Sequence, residues 1–343
     1  MPNSSPRSTD RRHWLRTLTW GFIAGVLAGL TMLLVMALLR VFLGWPTPTE
    51  LIFDRLFPLL TVEFFIGSLV RAGGYTPLKL QGVLSALAGQ VIVAGLGGVI
   101  YAFYLKRRDR RDVAQTTGTS LLDGRGWSLI IPGVLAATIL FVALLWPTLS
   151  TNYRGFPPGI AHLIATLEML ISFSVCGIGI TFFYGLLSRS SHAMTASEKA
   201  TMAGRSVGRR RFIALGIGAA VVLALGSTLR RLFRMGTFSY DGRQYGGPKV
   251  QKITPIRPDD EYYQVSKNLV DPDVARDSWR LDIVGQVENP RVYSFADIAA
   301  MPAVEQETTL LCISYGVGSG LCSNAIWKGV PLPTLLAQVK PNT

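Results

Sequence analysis

Cysteine and histidine are scarce in this chain, with three of each among 343 residues. The cysteines, Cys176, Cys312 and Cys322, do not have the number and spacing of a disulfide framework, a zinc site or an iron–sulfur site. Only His162 falls within an apolar run, whereas a membrane haem held by two imidazoles needs two such histidines. The sequence therefore argues against a disulfide-bonded scaffold, a zinc domain and a b-type cytochrome.

Charged residues are also few. They make up 16% of the chain, against 49% hydrophobic residues, which is the balance of a membrane protein with a polar appendage. The net charge of +13 could suggest nucleic-acid binding. However, the lysines and arginines cluster at the ends of apolar runs, where cytoplasmic loops of membrane proteins carry them. We therefore predict a lipid bilayer as the partner of this chain, and no nucleic acid.

Five apolar runs are long enough to cross a bilayer as helices. The first is longer than the apolar core of a signal peptide and no clear cleavage site follows it, so a retained span is favoured over a cleaved signal. Glycines at 97, 98, 177 and 179 predict close helix packing. The five predicted spans cover about 18–39, 78–105, 127–149, 159–187 and 212–234.

A sixth apolar segment, 50–71, contains charged residues that are each costly in the middle of a membrane. We predict an amphipathic helix that lies at the outer membrane interface. Charges that line a site between helices are the alternative. The charged residues are Glu50, Asp54, Arg55, Glu63 and Arg71.

The distribution of basic residues predicts the orientation. The loop after the second span contains Lys106, Arg107, Arg108, Arg110 and Arg111, whereas the loop after the third has a single charge, Arg154. The positive-inside rule puts the first loop in the cytoplasm and the second outside. We thus predict a multi-pass protein of the cell membrane with these regions: a cytoplasmic N-terminus (1–17), a four-span domain (18–187), a cytoplasmic linker (188–211), a fifth span (212–234), an extracytoplasmic tether (235–258) and an extracytoplasmic domain (259–343).

The fifth span begins with GRRRFIALGIGAA, in which Arg209 and Arg210 precede Phe212 and Ile213 after one residue. This pattern resembles a twin-arginine export signal placed inside the chain, and it predicts the twin-arginine export machinery as a partner. The alternative is that Arg209, Arg210 and Arg211 only anchor one more span on its cytoplasmic side.

The chemistry is concentrated near the C-terminus. Residues Thr308 to Leu311 predict a β-strand that ends at Cys312, and a glycine-rich loop with Gly316, Gly318 and Gly320 follows. Considered alone, such a cysteine is more often a small buried apolar residue than a ligand. Upstream, strands are predicted at 279–287 and 291–295, followed by a short helix capped by Ser294 and Asp297. Downstream, 327–332 is predicted to turn into a helix with Pro331 at its first position.

Together, the segments RPDDEYYQVSKNLVDPDVARDSWRLDIVGQVENP, TTLLCIS and SNAIWKGVPL resemble the molybdopterin-binding domain of the sulfite oxidase family. That family includes membrane-associated bacterial members and the catalytic subunit of periplasmic methionine sulfoxide reductase. The resemblance runs from near Pro258 to Thr343 and implies the first half of an α+β, strand-rich domain that is truncated at its C-terminus. It also implies a molybdenum–molybdopterin cofactor. Cys312 would be the molybdenum ligand, and the pterin would contact Tyr263, Gln264, Ser266 and Lys267.

The resemblance implies an oxidoreductase that transfers an oxygen atom at molybdenum, with a substrate that contains sulfur. Because the sequence has no haem or iron–sulfur pattern, electrons would pass to a separate carrier or a quinone. One alternative is a membrane protein whose exported domain binds a partner without metal. A transporter formed by residues 18–187 is another, although no convincing internal repeat supports it.

Overall fold

The computed structural model describes residues 6–109, 124–150, 155–188, 206–235, 255–259, 262–266, 274–313 and 321–342. The chain divides into two compact units, each assembled from three separate stretches. The first unit contains 1–55, 82–149 and 162–234, and the second contains 56–81, 150–161 and 235–343.

Five long helices correspond to the five predicted spans, although the third helix ends at Leu145, four residues before the predicted end, and a 3-10 turn, Trp146–Thr148, follows it. Each holds a stretch that is long and apolar enough to cross a membrane, which confirms the predicted helices at the level of length and composition. The second of them, α4, begins in the second unit and continues into the first. The helices of this part of the chain are α1 (Pro6–Leu43), α2 (Pro48–Leu56), α3 (Val62–Ala72), α4 (Tyr75–Asp109), α5 (Gly124–Leu145), α6 (Pro158–Ser188) and α7 (Ser206–Met235).

Glycines allow α1 and α4 to cross at very short range. A Cβ atom on Gly21 would lie 2.6 Å from the carbonyl oxygen of Gly98, so no larger residue fits there without a shift of the backbone. A Cβ on Gly179 of α6 would meet the Cβ of Ala28 at 2.9 Å. The close packing predicted from the glycines of α4 and α6 is therefore confirmed.

One buried ion pair connects α1 to α2 within the first unit. The guanidinium of Arg40 lies 3.1 Å from the carboxylate of Glu50, and the two side chains are only 5% and 8% exposed. Thr47 precedes α2, and its backbone N–H and hydroxyl both donate to Glu50. Burial raises the pKa of Glu50, while Arg40 and Thr47 oppose that shift.

The segment 50–71, predicted as one helix, is two helices. Between α2 and α3 lies a 3-10 turn, Phe57–Leu59, and Leu60 then adopts an extended conformation. The physical reason is Pro58, which has no N–H to donate within a continuing helix. Thr61 starts α3 anew by accepting a hydrogen bond from the backbone N–H of Phe64.

The C-terminal part of the second unit contains two antiparallel hairpins and two short helices. Tyr293, Leu335 and Val339 form the centre of its core. β1 pairs with β2, and β3 pairs with β4 over eight residues, from Val304 opposite Gly329 to Leu311 opposite Cys322. The elements are β1 (Arg280–Ile283), β2 (Arg291–Ser294), α8 (Phe295–Ala299), β3 (Val304–Leu311), β4 (Cys322–Gly329) and α9 (Leu332–Val339).

Local signals predicted most of this part correctly. Ser294 and Asp297 form the expected capping box at the start of α8. Two boundaries were wrong. The first strand ends at Ile283 and does not reach 287, because Gly285 has a φ of +98°. Trp327 belongs to β4, not to a turn, and Pro331 is the N-cap of α9.

Candidate functional site

Cys312 follows the last residue of β3, as predicted. Its backbone N–H donates a hydrogen bond to the carbonyl oxygen of Leu321 at 3.1 Å, so the main chain is fixed at the point where the hairpin opens. The thiol is half-buried and forms no disulfide. The glycine-rich loop lies outside the described residues. Cys322, the first residue of β4, is also half-buried and outside any disulfide, and it provides a natural comparison for Cys312.

Asn324 of β4 fastens the upstream segment 255–257 to the hairpin. Its carbonyl oxygen accepts from the backbone N–H of Arg257 at 2.8 Å, and its side-chain amide donates to the carbonyl oxygen of Pro255 at 2.9 Å. The same amide donates to the carboxylate of Glu307 on β3 at 2.7 Å. The end of the predicted tether is thus bound to the hairpin, while 236–254 lies outside the described residues.

Tyr262 and Tyr263 continue along the hairpin toward Cys312. Both bind the buried Ser323: the Tyr262 hydroxyl donates to its carbonyl oxygen at 3.1 Å, and the Tyr263 N–H donates to its hydroxyl at 3.3 Å. The two rings stack with their centroids 5.3 Å apart. The pKa of Tyr263 is raised, first by burial and next by the thiol of Cys312, which lies within electrostatic range.

Trp327 packs against the first ring of this pair. Its ring meets that of Tyr262 edge-on at 5.5 Å, and its indole N–H donates to the carbonyl oxygen of Thr308 at 3.2 Å. Both the ring and the indole N–H of Trp327 make contacts here, so Trp327 helps to position the aromatic segment.

Ser266 ends the described part of this segment, and its carbonyl oxygen has two donors from α4. The Tyr75 hydroxyl donates to it at 3.1 Å and the Lys79 ammonium at 2.8 Å. All three residues belong to the second unit. Tyr75 is also within electrostatic range of Cys312.

Sequence reasoning did not identify Tyr75 and Lys79. Lys79 interrupts the apolar opening of a predicted span, between Leu78 and Leu80, and that lone charge is the only signal that could have drawn attention to it. Nothing local identifies its partner, since 187 residues separate Lys79 from Ser266.

The outcome for the five predicted site residues is mixed. Tyr263 is hydrogen-bonded to the hairpin that carries Cys312, and Ser266, three residues later, is held by Tyr75 and Lys79. Gln264 is in the same segment, with its side chain exposed. Lys267 lies outside the described residues.

These residues fit a molybdenum cofactor in the chemistry of their donors. A thiolate is a soft ligand that suits a redox-active metal. Among the described residues, no three histidine, cysteine or carboxylate side chains group together as a metal site. Cys312 would be a protein ligand to the metal of such a cofactor. Aromatic rings and a lysine nearby are suited to a flat, anionic molecule.

A comparison with protein families supports this interpretation. Residues 268–343 match the family model described as the oxidoreductase molybdopterin binding domain. The matched stretch includes Cys312 and begins after Tyr263, Gln264, Ser266 and Lys267. No curated protein and no solved structure matches the chain. The C-terminal part of the chain thus carries a molybdopterin-binding oxidoreductase domain.

Proposed function

We propose that this chain is a membrane-anchored molybdenum-cofactor oxidoreductase of the sulfite oxidase type, in which the thiolate of Cys312 binds the metal. One observation carries the proposal. Within the stretch that matches the molybdopterin-binding family, Cys312 is half-buried where the β3–β4 hairpin opens, and Tyr263 is hydrogen-bonded to Ser323 of the same hairpin.

The chain's own residues would hold and orient the cofactor. The backbone hydrogen bond from Cys312 to Leu321 fixes the main chain that carries the thiol, and Ser323 fixes the aromatic segment on the same hairpin. When bound, the cofactor supplies oxygen-atom transfer to or from a substrate, coupled to a two-electron change. The aromatic rings of the Tyr262–Tyr263 pair provide a flat surface for the pterin.

The set of chain segments that forms the second unit supports a location on the outer face of the membrane. The orientation predicted from the basic residues puts three segments outside: the part before the second span, the loop after the third span, and everything after the fifth. The second unit is assembled from these same three segments, 56–81, 150–161 and 235–343. Two independent kinds of information, charge bias and packing, therefore agree.

This location bears on export and electron transfer. A cofactor assembled in the cytoplasm has to cross the membrane within a folded domain, so the arginines at 209–211 would engage the twin-arginine machinery. Electrons would be exchanged with a separate carrier or a quinone. We propose a substrate that contains sulfur, on the basis of the resemblance to the sulfite oxidase family.

The test is the molybdenum content of the full-length protein, purified from a host that makes molybdopterin. We expect about one molybdenum per chain in the wild type and almost none in Cys312→Ser, because an alcohol is a poor replacement for a thiolate ligand. Cys322→Ser is the matched control, since it removes a second half-buried thiol from the same hairpin. It should keep its metal.

Two results would overturn the proposal. A wild-type protein without molybdenum would favour an exported domain that binds a partner without metal. Equal loss of metal from both serine variants would mean that damage to the hairpin, and not loss of a ligand, explains the effect.

A further inference from the structure

Two side chains at the start of α4 hold a segment that lies far away in the sequence. Tyr75 and Lys79 are one helical turn apart, so both side chains are on the same face of the helix. Both donate to a single acceptor, the carbonyl oxygen of Ser266, at 3.1 and 2.8 Å. One backbone oxygen in the aromatic segment is thus held by a phenol and an ammonium.

The local fold gives Tyr75 a fixed position. Helix α3 ends at Gly73, whose φ of +78° lies in the left-handed region, and the N–H of Gly74 returns to the carbonyl oxygen of Leu69 at 2.9 Å. Helix α4 then starts directly at Tyr75, and the Tyr75 ring contacts that of Phe65 at 6.5 Å. The hydroxyl is therefore presented by a rigid helix–turn–helix corner.

The identity of the second donor is informative. A neutral side chain would satisfy a backbone carbonyl, whereas a partly buried ammonium also places a positive charge beside the aromatic segment. Earlier in the same segment, the N–H of Tyr263 donates to the hydroxyl of Ser323, which stands opposite Leu310 in the β3–β4 hairpin. The segment that α4 holds at Ser266 therefore lies against the hairpin that carries Cys312.

We propose that Tyr75 and Lys79 are positioning residues of the cofactor site, which hold the segment 262–266 in place on the hairpin that carries Cys312. This inference rests on the proposed function. It gives the corner between α3 and α4 a part in the oxidoreductase domain in addition to its place before a candidate membrane span.

The test measures how fast the purified full-length protein loses molybdenum during dialysis. We expect the double variant Tyr75→Phe/Lys79→Met to lose metal about tenfold faster than the wild type, because a charge-assisted and a neutral hydrogen bond are both removed. Lys79→Arg keeps the charge and a donor, so it should stay near the wild-type rate. Lys340→Met is the matched control: this lysine is exposed, belongs to the second unit and pairs with Glu288.

A second measurement separates positioning from general damage. In cofactor-free protein, the rate at which a thiol reagent modifies Cys312 should rise in the double variant and stay unchanged in Lys340→Met. If the double variant does not fold, Tyr75→Phe alone removes one hydroxyl, and we expect metal loss about threefold faster.

The failures of the two proposals can be told apart. If the wild type holds molybdenum and the Tyr75 and Lys79 variants retain it at the wild-type rate, the positioning role is wrong while the proposed function stands. If Lys340→Met loses metal as fast as the double variant, the effect is not specific and the positioning role is also wrong. If the wild type holds no molybdenum, both proposals fall.

Discussion

An ion pair of the first unit and an ion pair of the second unit lie in opposite environments. In the first unit, Arg40 and Glu50 form an ion pair whose side chains are 5% and 8% exposed, and two groups of Thr47 also donate to the carboxylate. In the second unit, Lys328 lies 3.6 Å from Glu305, but these side chains are 72% and 64% exposed. The same type of interaction therefore occurs in two very different environments.

The distance between the charged atoms alone therefore does not indicate how much each ion pair matters for stability. An exposed pair exchanges water for a partner at little net gain, and salt weakens it further. A buried pair is not necessarily a large net stabiliser either, but removal of one partner leaves the other charge buried and unpaired. The two pairs should consequently respond very differently to the same kind of substitution.

The largest effect is expected from Arg40→Met. It leaves the Glu50 carboxylate buried without its cation, and we expect unfolding in detergent to become easier by about 3–5 kcal/mol. Because burial raises the pKa of Glu50, protonation favours the folded state, so the loss should shrink as the pH is lowered.

The control for this variant is the double replacement Arg40→Met/Glu50→Leu, which removes both charges and should recover most of the stability. If the single and double variants are equally unstable, the buried pair is not the reason for the loss. Denaturant or thermal unfolding in one detergent would measure all three proteins.

An intermediate effect is expected at the start of α8. Ser294→Ala removes the hydroxyl that accepts from the N–H of Asp297, and loss of such a cap costs about 1 kcal/mol. Hydrogen exchange of the amides in 295–300 would report this locally. Faster exchange confined to this helix supports the prediction, and unchanged exchange contradicts it.

The same cap predicts a pH effect of known sign. Hydrogen bonds from the Ser294 side chain and backbone lower the pKa of Asp297, so their stabilisation is present above the ordinary Asp pKa and is lost as the pH falls below it. In Ser294→Ala, the acid-induced loss of protection of the α8 amides, measured relative to their intrinsic exchange rate at each pH, should be smaller than in the wild type. An equal loss of protection in both proteins would mean that the cap does not cause it.

The smallest effect is expected from Lys328→Met. This exposed pair should contribute within about 0.5 kcal/mol, and its contribution should vanish in high salt. A loss comparable to that of Arg40→Met, measured in the same unfolding assay, would remove the contrast between the two units.

Local patterns made part of this fold predictable. The five long helices follow from runs of apolar residues, and the capping box at Ser294 and Asp297 follows from residues three positions apart. The break at Pro58 was also readable from a single residue, although the charges of the segment 50–71 suggested one continuous amphipathic helix.

The candidate site was harder to predict from the sequence. Cys312 stands out because a strand and a glycine loop flank it, and those are local features. Tyr75 and Lys79 reach Ser266 across 191 and 187 residues, so only the tertiary fold brings them together. Lys267 and the glycine-rich loop lie outside the described residues, and the contact of Lys267 with the pterin stays a prediction.

X-ray absorption at the molybdenum edge tests the central claim most directly, because it counts the sulfur atoms bound to the metal. If Cys312 is the protein ligand, whatever metal remains in Cys312→Ser should have one sulfur neighbour fewer than in the wild type, while Cys322→Ser gives an unchanged spectrum. An unchanged sulfur count in Cys312→Ser would mean that the sulfur of Cys312 does not bind the molybdenum.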